Sequence, residues 1–177
     1  ITISQQVDFY TNLITKLIEF SDHQEINMEQ RLFYGENVTN INIMLSRLMN
    51  SGTEATVVEA GFVLLLRVVS IHSLSQFTEF NAHKLLLGAM IIANIQFEDD
   101  TITLQRWQRM TNYTWTLDEM KLIVMEMLGS IKFSLLVDEL ELELLRQKIL
   151  IPFYQNNLKM QSVEQFICYE KDKYNIQ

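Results

Sequence analysis

A chain of 177 residues, 48% of them hydrophobic and 20% charged, is long enough for one domain and apolar enough to bury a core, which excludes a disordered polymer. One proline and five glycines are too few for an all-β fold, which needs turn residues about every 8–12 positions. The net charge of −8 excludes nucleic acid as a main partner, because binding a phosphate backbone needs clustered Lys and Arg.

In chain order, Val7, Tyr10, Leu13, Ile14, Leu17 and Ile18 share one face of a helix predicted over 4–21. Polar residues from Ser21 to Gln30 read as a connector. A short helix follows over 40–50, with Ile41, Met44, Leu45 and Leu48 inward. Ser51, Gly52, Thr53 and Glu54 have the form of a capping box, opening a largely buried helix over 53–71 that carries Phe62 to Leu66.

The most informative stretch is Phe80 to Asp100. It is apolar around its whole circumference over 81–97, so that segment is expected to be a central helix with neighbours on every side. It ends in Glu98, Asp99 and Asp100, at the end of the helix where the macrodipole favours cations. Two readings of this acid run stand open: a surface loop or a partner contact.

A short helix over 102–111 carries Trp107. Thr116 and Glu119 form a second capping box, opening a helix to about Lys132. Asp138 to Leu150 and Ser162 to Tyr169 read as two more helices around Pro152. The longest apolar run, Leu85 to Ala93, falls short of the roughly 20 residues that span a bilayer, so no membrane span is expected. The prediction is a single all-α domain over 1–177, in a globular rather than a flat up-and-down arrangement.

No catalytic constellation emerges. His23, His72 and His83 lie in separate elements without i, i+4 pairing and read as surface or capping residues, so no metal site is expected. No two glycines have phosphate-loop spacing. Cys168 reads as a small core residue; Asp138, Glu139, Glu141 and Glu143 read as the solvated face and first turn of a helix. The expectation is a protein that is not an enzyme and takes no cofactor. The single cysteine excludes an internal disulfide and fits a reducing compartment, and no basic, apolar leader is visible. An intracellular address, cytoplasmic or nuclear, follows as an expectation, which makes the sequons at Asn37 and Asn112 chance matches.

The order of these helices, a five-helix unit with its third member buried, resembles the cyclin box, and within it the yeast phosphate-pathway (Pho-type) cyclins and the plant P/U-type cyclins. Asn40-Ile-x-x-Met-Leu-x-Arg47-Leu is similar to their first-helix pattern Ser-Ile-x-x-Tyr-Leu-x-Arg-Ile. Leu64-Leu-Leu-Arg67 stands where they have Tyr-Ile-Asp-Arg, keeping the Arg and losing the Asp. Asn81-Ala-His83-Lys84-Leu-Leu resembles Asn-x-His-Arg-Leu-Leu, and Phe97-Glu-Asp-Asp100 resembles Phe-x-Asp-Asp. Thr116-Leu-Asp-Glu-Met and Phe133-Ser-Leu-Leu-Val137 match the opening and close of the fifth helix region. The resemblance implies a cyclin-box-like core over 40–137, an N-terminal helix and connector over 1–39, and one or two extra helices over 138–177.

It also implies a function. Such cyclins bind a cyclin-dependent protein kinase through the third and fifth core helices, here 81–97 and 116–132, and hold the kinase's mobile C-helix inward. The contacts it implies here are Ile95, Gln96, Phe97, Glu98, Met120, Val124 and Leu128. The chain departs from the pattern where it matters for the kinase. The family's interface Lys falls on Ile95 or Gln96, and its Glu on Val124, with Glu126 on another helical face. The alternative expectation is therefore a cyclin-fold scaffold, a subunit of a larger protein assembly without a kinase-activating role.

Overall fold

The structure is a computed structural model that describes residues 2–21 and 39–175. Among these residues the secondary structure is entirely helical: α1 (Ile3–Phe20), α2 (Ile41–Asn50), α3 (Ala55–His72), α4 (Ala82–Phe97), α5 (Leu104–Met110) and α6 (Leu117–Ser130), then α7 (Glu139–Leu145), α8 (Ile151–Tyr154) and α9 (Met160–Lys173). The connector expected over 21–30 lies, beyond Ser21, outside the described residues, as do His23 and Asn37.

Helices α3 and α4 form the centre, packed along each other more extensively than any other pair. Every residue of α3 from Ala60 to Ser70, and of α4 from Leu85 to Asn94, is buried. A Cβ on Gly61 would collide with the end of the Met90 side chain, so the glycine leaves the room that Met90 fills between the two helices. Helix α3 is long and apolar enough to cross a membrane by length and composition alone. Here α4, α6, α7 and α9 cover it.

Where the acid run goes corrects the expectation for the start of α3. The capping box does not form: Ser51 Oγ donates back to Leu48 O at 2.7 Å, and Glu54 is an N-cap without a side-chain bond. Instead, Glu98 Oε1 accepts from the Glu54 N–H at 3.3 Å. Glu98 closes α4 and lies at the N-terminus of α3. The charge opposes the dipole of its own helix and complements that of its neighbour. Asn94 Oδ1 accepts from Ile102 N at 2.8 Å and folds the acidic loop back over the end of α4.

The C-terminal helices depart from prediction at Pro152. Rather than separating two helices, it lies inside one continuous helical run, because Arg146–Leu150 between α7 and α8 is a π-helical turn. A proline has no N–H to donate, and its ring collides with the carbonyl one turn back; the wider π turn relieves both problems. Three side chains also correct their expected settings. His83 is buried and stacks flat on Trp115 with ring centroids 5.6 Å apart. Cys168 is exposed. Glu141, expected on a solvated face, is fully buried.

Candidate docking groove

Beyond Asn94 the buried face of α4 runs out, and Ile95 is 59% exposed. It lies beside Val124 and Leu128, which are one turn apart and share a face of α6. The third wall is the non-helical segment after α6, which contributes Leu135 and the 76% exposed Leu136. With Ile92 at its floor, the groove measures about 310 Å³. Its one polar side chain is Gln96. Nε2 of Gln96 donates to Val137 O at 3.2 Å, while Oε1 is buried and accepts no hydrogen bond within the described residues. Leu122, Met125 and Phe133 extend the exposed apolar surface around the outer side of α6 and its end.

The structure therefore brings four of the seven sequence-derived contacts together: Ile95, Gln96, Val124 and Leu128. The other three are occupied elsewhere. Met120 shares the Val124 face by spacing, yet it is completely buried in the core. Phe97 packs half-buried against the core, and Glu98 caps α3. Sequence reasoning missed Ile92, Leu135 and Leu136. The last two lie in a stretch without helical periodicity, so no pattern marks which way they face.

What fixes that stretch is a buried charge cluster on the other side of it. Arg67, in the middle of apolar α3, is fully buried, as are Glu141 and Glu170. Its Nε donates to Glu170 Oε2 at 2.8 Å and one terminal nitrogen donates to Glu141 Oε1 at 2.6 Å. The other terminal nitrogen donates to the carbonyls of Ser134 and Leu136, the latter at 3.2 Å. The groove's third wall is thus pinned from inside by Arg67 and from the α4 side by Gln96.

Four partners surround Glu141. Besides Arg67, it accepts from Tyr174 Oη at 2.9 Å, pairs with Lys173 at 3.0 Å, and exchanges capping-box bonds with Asp138, at 2.8 Å from Asp138 N. The Tyr174 ring lies 4.4 Å from the Arg67 guanidinium and closes the cluster. The two acids consequently differ. Burial pushes the Glu141 carboxyl up, but the Asp138 N–H, Arg67 and Lys173 more than offset this and hold it below its usual range. Among the described residues Glu170 has Arg67 as its one cation, and its buried Oε1 makes no hydrogen bond. Burial, helped by the nearby Glu141 charge, pushes its carboxyl up to about 7 despite Arg67. Near neutral pH the pair thus shares a proton, held mainly on Glu170.

Among the described residues no group of three His, Cys, Asp or Glu side chains could hold a metal ion. Comparison with known protein families, with curated proteins and with solved structures finds no match.

Proposed function

We propose that the protein is a regulatory or structural subunit that works by docking a partner protein in the α4–α6 groove. The observation that supports this most is the exposure of Ile95 beside Val124 and Leu128, in a groove with one polar side chain. Leaving a 59% exposed isoleucine and a 76% exposed leucine together in water forgoes burial free energy that a partner surface recovers. A small-molecule site would need several convergent polar groups to orient its ligand, and Gln96 alone does not supply them.

The partner implied by the cyclin-box resemblance is the C-helix of a cyclin-dependent protein kinase, seated between the third and fifth core helices, α4 and α6. A second reading is a scaffold subunit of a larger assembly. It is favoured by Ile95 and Val124, apolar residues where kinase-binding cyclins carry a Lys and a Glu. Purification of the tagged protein from its native cells, with mass spectrometry of stoichiometric partners, separates the two. A kinase lost on Ile95→Asp substitution supports the first reading. A stable particle without a kinase, also lost on that substitution, supports the second. Partners that are indifferent to Ile95→Asp contradict both.

A further inference from the structure

The ends of α2 and α5 meet at a shallow depression lined by Arg47, Asn50, Arg106, Arg109, Asn112 and Tyr113, among others, with no acidic residue in its lining. Three of the 14 Lys and Arg residues therefore gather at one place on a chain of net charge −8. We propose that this depression binds a phosphorylated side chain of a partner peptide. The proposal is independent of the α4–α6 groove.

Helix geometry accounts for only part of the cluster. Arg47, in the last turn of α2, donates from one terminal nitrogen to Arg109 O at 2.6 Å and Met110 O at 3.2 Å. It thereby satisfies carbonyls that the end of α5 leaves open, which is the ordinary role of a cation at a helix C-terminus. Arg106 and Arg109 are not used in this way. They lie three residues apart on α5, both exposed, and among the described residues neither enters an ion pair. Like charges at that spacing repel, and nothing in the lining offsets them.

A phosphate dianion offsets this repulsion. Each guanidinium presents a planar fork of N–H donors that matches two phosphate oxygens, which a lysine point charge does not. Tyr113 stands at the rim, 64% exposed, on a backbone at φ 57° that follows Asn112, also at φ 57°. Its ring gives the residue next to the phosphate an apolar surface to lie on. A peptide fits better than a nucleic acid. One phosphate needs only this local cluster, whereas a strand of phosphates would run into the repulsion of an acidic molecule.

The test uses the full chain and two biotinylated peptide pools with random flanks, one centred on phosphoserine and one on serine. Inorganic phosphate and a single-stranded DNA oligonucleotide serve as competitors. Retention of the phosphoserine pool alone is expected, with displacement by inorganic phosphate and at least roughly tenfold weaker binding by Arg106→Gln/Arg109→Gln. Circular dichroism reports whether that variant is folded; if it is not, the phosphate competition on the unsubstituted protein decides. Equal retention of both pools, retention of neither, DNA that competes better than phosphate, or a folded variant that binds as before would overturn the proposal.

Discussion

Two regions of this molecule invert the usual placement of residues, in opposite directions. Arg67, Glu141 and Glu170 are ionisable and wholly buried, whereas Ile95 and Leu136 are apolar and largely in water. Arg67 and Glu141 are nearly saturated: Arg67 meets two carboxylates and two carbonyls, and Glu141 has four partners. That bonding potential is spent on holding α7, α9 and the 134–138 segment against the core. The exposed apolar side chains have no such use among the described residues. A buried polar cluster explained by its own contacts is architecture, while an apolar surface left unexplained by them is where a partner fits. The two are coupled, because Arg67 holds the backbone that presents Leu136.

Breaking the buried region gives the largest effect. Arg67→Ala leaves Glu170 buried without its cation and Glu141 with Lys173 alone, and is expected to cost about 3–5 kcal/mol, measured by urea unfolding. It should also weaken partner binding, since the Ser134 and Leu136 carbonyls lose their donor. The next effect is the pH dependence of stability. The Glu170 pKa of about 7 in the folded chain lies above its ordinary 4.5. The folded state thus keeps a proton that the unfolded state releases between those values. The contribution of this group is full below about 4.5 and is lost as pH rises through about 7. Melting scans from acid to alkaline pH should show that decline. Glu170→Gln, which mimics the protonated acid, should remove it and melt above the unsubstituted protein at alkaline pH. A smaller effect is expected at the acid run. Glu98→Ala should cost about 0.3–1 kcal/mol through the start of α3, and less at high salt, in denaturant titrations at two ionic strengths.

The two regions were also unequally legible in the sequence. The helices and the central position of α4 follow from apolar periodicity, and the Thr116 box formed as read, because these signals are local. The groove was half legible: Ile95, Gln96, Val124 and Leu128 lie on helices whose faces can be counted, while Leu135 and Leu136 lie where no period applies. The charge cluster was not read. A lone arginine inside an apolar helix demands partners, but those of Arg67 lie 74 and 103 residues further along the chain. Only the folded backbone brings them to it. Glu98 illustrates the same limit, since its role depends on which helix lies beside α4.

The smallest expected effect on the fold gives the most direct test of the docking role. Ile95→Asp/Leu136→Asp should leave the melting temperature nearly unchanged, since both side chains face water, and should abolish recovery of the stoichiometric partner found with the unsubstituted protein. Full recovery of that partner by the double variant, or a melting temperature lowered as far as that of Arg67→Ala, would contradict a docking role for the groove.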